Sequence, residues 1–206
     1  MWALVTDGSI TKIINQPKPL VIGDTQYSRN IFSFRWSNAE REAIGLYEVV
    51  FDNSNKKSEA YYNNTNQTFA FADGKVTASY GSATAKALAD TLFTAQDEVD
   101  GKGTEGEVAA RGLKIQHKER IKQQASSELA NTDWYITRKA DAGTAIPSAV
   151  TTHRAAVRTK SGEMETAIDN AADVDALAAL YQYVNTGTEE NPVMERPLGE
   201  FPVLEI

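Results

Sequence analysis

Asp133, Trp134 and Tyr135 stand consecutively in the stretch NTDWYITRKADAGTAIPSAVTTHRAAVRTKSGEME (residues 131–165), and Arg154 and Arg158 follow four residues apart. A carboxylate and guanidinium groups can form charge-assisted, bidentate pairs. Trp and Arg are also the side chains that most often dominate binding hot spots. Antiparallel helices joined by a short loop would let Asp133 pair with one arginine, with the Trp134 indole lying across the second helix on apolar surface. Two compatible roles follow: the group closes a helical hairpin, or it forms a binding surface.

Other chemistry is harder to find. His117 and His153 fall on different helical patterns among basic residues, with no converging carboxylates for a zinc site; both read as solvated surface histidines. GKGT (101–104) lacks the upstream glycine and preceding strand of a phosphate loop. Neither a nucleophile elbow nor an H-E-x-x-H pair is present. DNAADVD (169–175) begins like a calcium loop but lacks its glycine and distant glutamate, so Asp173 reads as a helix cap. Lys114, Lys118, Arg120 and Lys122 make a short basic stripe without interleaved aromatics, the usual solvated face of a helix. With no cysteine there is no thiol nucleophile and no disulfide. No catalytic, cofactor-binding or metal-ligating residue is nominated, and the chain reads as a non-enzyme.

The elements that must position these residues change character along the chain. Residues 1–82 read as a β-rich domain. WALVT and ITKII flank Asp7-Gly8, and TFAFA and KVTASY flank Asp73-Gly74, both hairpin signals. NQPKP stops the second strand. IFSFRW (31–36) alternates on a period of two and is expected as a half-buried strand. Ser37 and Glu40 form a capping-box pattern before a short helix that stops at Gly45, and LYEVVF is a further strand.

From about residue 83 the apolar period lengthens, and 83–184 reads as a helical domain. Helices are expected over about 84–98, about 106–130 with Gly112 inside, from Asp133 to a stop at Gly143, and from Pro147-Ser148 onward with Gly162 as a bend or break. DVDALAALYQYV closes with Leu177, Leu180, Tyr181 and Val184 on one stripe. The Gly- and acid-rich run 100–107 reads as a flexible connector. The fold class is therefore α+β: antiparallel hairpins, then a helical hairpin or bundle, then an extended tail over 185–206.

That tail carries Pro192, Pro197 and Pro202, which forbid a continuous helix. It also carries Leu198, Phe201 and Leu204, apolar groups that favour burial. An extended apolar segment of this kind docks along a sheet edge or in a groove, on its own subunit or a neighbour.

The 206 residues are 41% hydrophobic and 24% charged, ordinary for a globular chain. A net charge of −7 and a pI near 5.0 argue against nucleic acid and anionic membrane as partners. MWALVTDGSITKII has no basic n-region, so no signal peptide is expected, and no run approaches a membrane span. The sequons at Asn63 and Asn66 then read as turn material.

The L-x-x-T-D-W run and the proline-led helix with R-A-A-V-R resemble the C-terminal segment of tailed-bacteriophage tail-fibre assembly proteins. The matching residues are Leu129, Thr132, Asp133, Trp134, Arg154, Val157 and Arg158, with His153 where that family usually has Tyr. The β-rich segments 3–12, 43–53 and 64–81 look like those of small virion proteins of marine phages. The resemblance implies a non-catalytic virion protein of the tail, at fibre or baseplate attachment, made in the host cytoplasm and present in several copies. It implies other tail or fibre proteins as partners, with Asp133, Trp134, Tyr135, Arg154, Arg158, Leu198, Phe201 and Leu204 as packing and contact residues. The alternative it implies is a fibre-assembly chaperone absent from the mature particle. No cofactor is implied.

Overall fold

The computed structural model describes residues 1–205, and the chain divides into two compact units, Met1–Thr84 and Ala85–Ile206. The architecture is α+β, with strands concentrated in the first unit and the long helices in the second.

In the first unit β1 (Trp2–Thr6) and β2 (Ser9–Ile14) form the expected hairpin. Asp7 and Gly8 adopt φ of 51° and 76°, the left-handed backbone that tight hairpin loops require. A small hairpin of β3 (Leu20–Ile22) and β4 (Thr25–Tyr27) follows. Helix α1 (Asn38–Ala43) carries the complete capping box: Ser37 N–H donates to the Glu40 carboxylate at 2.7 Å and Glu40 N–H to Ser37 Oγ at 3.3 Å. Next come β5 (Leu46–Asp52), β6 (Tyr62–Asn63), β7 (Thr68–Ala72) and β8 (Lys75–Ser79), the last two closing the Asp73-Gly74 hairpin.

Five of these strands form one sheet in the order β2-β1-β5-β8-β7. Its two ends approach each other, so the sheet curls over Ala3, Val5, Val49, Val76 and Ala78, with Ile10, Ile13, Phe69 and Phe71 packed against them. Hairpins alone would make every neighbour antiparallel, yet β5 and β8 run parallel, Val49 facing Val76. A second core gathers Ile14, Leu20, Ile31 and Leu46. Gly45 is required where it stands: its φ is +79°, and a Cβ there would lie 2.4 Å from the Val5 carbonyl oxygen.

IFSFRW is not a strand. Residues Arg29–Phe32 form a 3-10 turn capped by Ser28, and Phe34 is 94% exposed. The alternation is overruled by Arg41, whose Nε donates to Ile31 O at 2.8 Å and Nη2 to Ser33 O at 2.6 Å. Carbonyls of this segment thereby serve a guanidinium rather than a ladder.

The helix expected over 84–98 is absent. The segment instead contains β9 (Thr84–Ala85), β10 (Thr91–Leu92) and the short α2 (Ala95–Val99), which begins at a Thr94–Asp97 capping box. Residues 87–90 are engaged elsewhere: Ala87 and Leu88 carbonyls accept Leu113 and Lys114 N–H, and the Asp90 carboxylate accepts Gly112 N–H at 2.7 Å. The loop expected as a flexible connector is fastened at Lys102, whose Nζ lies 3.0 Å from both Asp97 and Asp100. It returns as β11 (Val108–Ala110), antiparallel to β10.

Gly112 is therefore not inside a helix but caps α3 (Leu113–Ala130). A Cβ there would meet the Ala89 carbonyl carbon at 2.2 Å. Helix α4 (Asp133–Ala142) ends at left-handed Gly143, as expected. Helix α5 (Ser148–Asn170) runs unbroken through Gly162, contrary to the expected bend. Val150, Val157, Met164 and Ile168 of α5 face Leu113, Ile121 and Ala125 of α3 in the apolar core. Asp173 caps α6 (Val174–Ala179) by accepting Ala176 N–H at 2.7 Å. The helical stripe stops short of Val184, which is exposed in β12 (Val184–Asn185), paired with β13 (Met194–Glu195).

Candidate functional site

The corner between α3 and α4 is where the residues of the 131–165 stretch meet. Helix α3 ends with carbonyls that have no partner in the next turn. Thr132 supplies one, its N–H and Oγ both donating to Leu129 O at 3.0 and 2.9 Å. Arg154, reaching across from α5, supplies more. Its Nη1 lies 2.8 Å from Leu129 O, 2.6 Å from Thr132 Oγ and 2.8 Å from Asp133 Oδ1. Arg154 is only 8% exposed and Thr132 is buried, whereas the Asp133 side chain is 61% exposed. The guanidinium thus serves as a buried C-terminal cap for α3 that also holds the first residue of α4. Arg158 takes no part in the pair; its Nη1 turns back to Arg154 O at 3.3 Å.

Trp134 does not lie across the second helix. It is 50% exposed, its ring centroid 3.8 Å from that of Tyr135, and Arg138 Cζ sits 4.7 Å above it and 5.5 Å from the Tyr135 ring. The cause is helical phase: with Asp133 turned toward Arg154, the next residue points about 100° away. None of the ten residues of α4 is buried, and Ile136 is exposed too. The outcome is an outward Trp134–Tyr135–Arg138 stack on a helix tied down mainly at its first turn. Arg138 stands at i+4 and i+3 from the two aromatics, a spacing that could have exposed the stack in the sequence.

Between α3 and α5 a groove of about 500 Å³ is lined by Lys122, Leu129, Asp133, Arg154, Arg158 and Glu165 among others. Its charges are largely matched within it, with Lys122 3.3 Å from Glu165. Two more of the stripe's cations are also engaged by α5: Lys114 Nζ donates to Asp169 O at 2.8 Å and Lys118 pairs with the Asp169 carboxylate at 2.8 Å, while Arg120 stays exposed. Lys114 and Lys118 thus belong to an inter-helix seam, while Arg120 and Lys122 remain exposed as expected of a solvated face.

Both histidines are buried, contrary to expectation. His117 Nδ1 lies 2.8 Å from Tyr181 Oη, and burial, aided by the charge of Arg120, holds its pKa below the usual histidine value. His153 is buried with Nδ1 lacking any partner among the described residues. No group of three or more His, Cys, Asp or Glu side chains among the described residues could hold a metal ion, and no helix is long and apolar enough to cross a membrane.

The tail residues settle on the same unit. Leu198 is 2% exposed, with its N–H donating to Leu180 O at 3.0 Å. Arg196 clamps the turn, Nε donating to Gly199 O at 2.9 Å and Nη2 pairing with Glu200 at 2.6 Å. Tyr183 Oη donates to the other Glu200 oxygen at 2.6 Å, which raises the tyrosine pKa. Half-buried Phe201 borders a groove with Arg120 and Gln124 of α3. Half-buried Leu204 lies with Pro202 beside Ser148, Ala149, Thr152 and Ala156 of α5.

No family model, curated protein or solved structure matches this chain.

Proposed function

We propose that the chain is a non-catalytic structural protein of a tailed-phage virion, sited in the tail at fibre or baseplate attachment and docking through α4. The observation that carries the docking role is a ten-residue helix with none of its residues buried, presenting Trp134 beneath Arg138. Helices this short are marginal in water without a packed face. Aromatic and arginine side chains in contact are also the residue types through which interfaces gain most of their affinity. The assignment to a phage tail rests on the resemblance of Leu129, Thr132, Asp133, Trp134, Arg154, Val157 and Arg158 to tail-fibre assembly proteins. The partners on this reading are other tail or fibre proteins and further copies of the chain. The engagement of Lys114, Lys118 and Lys122 by α5 favours protein over nucleic acid as partner.

Quantitative mass spectrometry of purified particles of the encoding phage tests the reading. Recovery in fixed ratio to known tail proteins is the expected result, with loss of incorporation on Trp134→Ala and Arg138→Ala. Abundance in infected cells with absence from particles would instead establish the fibre-assembly chaperone.

A further inference from the structure

In the groove between α3 and α5 the ion pairs leave one cation over. Around its space of about 500 Å³ stand Lys122, Arg154 and Arg158 against Asp133 and Glu165. Lys122 lies 3.3 Å from Glu165, and Arg154 lies 2.8 Å from Asp133. Arg158 pairs no carboxylate among the described residues; its one bond there runs from Nη1 to the Arg154 carbonyl at 3.3 Å. Arg154 is itself engaged on one side only. Its three acceptors, the Leu129 carbonyl, Thr132 Oγ and Asp133, all sit on Nη1. Among the described residues, His153 Nδ1 is the one buried side-chain nitrogen or oxygen without a partner, so Nε and Nη2 of Arg154 remain in reach of solvent. Two guanidiniums one helical turn apart thus keep N–H donors unengaged at one groove.

The groove is also kept open by a residue the fold does not ask for. Gly162 sits inside α5, where glycine is less stable than every other residue except proline. No neighbour demands it, since a Cβ at Gly162 would meet nothing within 4 Å. Gly162 lines the groove together with Ala125 and Leu129, and its effect is to hold the floor low beside the guanidiniums. The groove follows α3 from Lys122 to Leu129 and α5 from Arg154 to Glu165, roughly 10 Å and roughly 16 Å at the rise of a helix. A trough of that length takes roughly three to five residues of extended chain.

We propose that this groove binds a single carboxylate side chain, presented by an extended and otherwise apolar segment of a partner protein. Arg158 supplies the pairing charge through the N–H groups it has left, and Arg154 donates from the same wall. The charge balance selects the ligand class. Three cations against two carboxylates leave a surplus of one. A carboxylate neutralises that surplus, whereas a doubly charged phosphate exceeds it while facing Asp133 and Glu165. The apolar flanks of the segment fit Ala125, Leu129 and the open space over Gly162. Because the chain carries a net charge of −7, an acidic segment is drawn to this groove and repelled by most of the remaining surface. The inference rests on the groove alone and stands whether or not α4 docks to a phage tail.

The test titrates isotopically labelled full-length protein at low salt with an end-blocked pentapeptide, one glutamate among leucines and alanines. The arginine Nε–H resonances are followed by NMR. Saturable shifts are expected at Arg154 and Arg158, with the glutamine counterpart of the peptide binding at least about tenfold more weakly, as loss of a charge-assisted pair requires. Arg158→Gln should weaken the glutamate peptide by a similar factor and leave the thermal midpoint unchanged, since Arg158 is exposed. Gly162→Leu should raise the thermal midpoint by removing glycine from a helix, yet abolish binding by filling the trough. A groove that served only the fold would not give those opposite signs. Equal affinity for the two peptides, or full binding by Arg158→Gln, would overturn the proposal. So would the absence of any saturable shift, or displacement of the peptide by inorganic phosphate at equal concentration, which would make the groove a site for free anions.

Discussion

Replacing Arg154 with alanine separates two accounts of the α3–α4 corner. If the ion pair with Asp133 matters most, removing either partner should cost about the same. The geometry says otherwise. The Asp133 carboxylate is mostly solvated, so it rehydrates when its partner is lost, and an exposed pair is worth roughly 0–1 kcal/mol. The buried Thr132 hydroxyl, as an acceptor, has no such recourse, and the Leu129 carbonyl loses its charged donor. Hydrogen bonds to a charged donor contribute roughly 1.5–3 kcal/mol each, and Thr132 itself still satisfies Leu129 in part. Arg154→Ala should therefore cost about 3 kcal/mol, Arg154→Lys about half of that, and Asp133→Ala no more than about 1 kcal/mol. Urea unfolding followed by circular dichroism at 222 nm reads the helical unit; with a slope of about 2 kcal/mol/M, Arg154→Ala lowers the midpoint by roughly 1.5 M. Equal losses for Asp133→Ala and Arg154→Ala would refute the capping account and return the weight to the ion pair.

Trp134→Ala should lower stability by only about 1 kcal/mol, well below the 3–5 kcal/mol of a buried aromatic, because half the ring is in water; a thermal midpoint reads this directly. His117 is held below its usual pKa by burial, so the unfolded chain takes up a proton first as pH falls. Stability contributed there is full above about pH 6.5 and declines as the pH drops toward the folded value; His117→Gln should flatten that limb of a stability–pH curve. Gly45→Ala forces a side chain into positive φ and against Val5 O, which should cost at least about 1–3 kcal/mol in denaturant unfolding.

Local signals in the sequence were reliable where the chain answers only to itself. Asp7-Gly8 and Asp73-Gly74 make hairpins because the turn geometry is settled by adjacent residues. Ser37 with Glu40, Gly143 and Asp173 mark helix ends for the same reason. Legibility failed where distant partners decide. The apolar spacing over 84–98 suggested a helix, but Ala87, Leu88 and Asp90 are taken up in capping α3. IFSFRW alternates like a strand, yet its carbonyls are claimed by Arg41. In the candidate site, Asp133 and Arg154 could be matched by charge and helix spacing alone. The outward turn of Trp134 could not, because it depends on which face of α4 Arg154 captures. The burial of His117 and His153 was hidden because α3 and α5 read as charged helices until their lysines and acids are seen to pair across the seam.

The parallel pairing of β5 with β8 also sets a timetable for folding. Strands β1, β2 and β5 can assemble early through antiparallel contacts, but their curled face lacks its far wall until β8 is placed between β5 and β7. The β7–β8 hairpin closes locally, on the microsecond scale of such turns. It must then dock as a preformed block, aligning Val76 with Val49 across a long intervening loop, the slow step in chains rich in non-local pairing. On a ribosome, Ala3, Val5 and Val49 therefore stay uncovered until residue 79 has left the exit tunnel, and the nascent chain is most prone to mispairing in that interval.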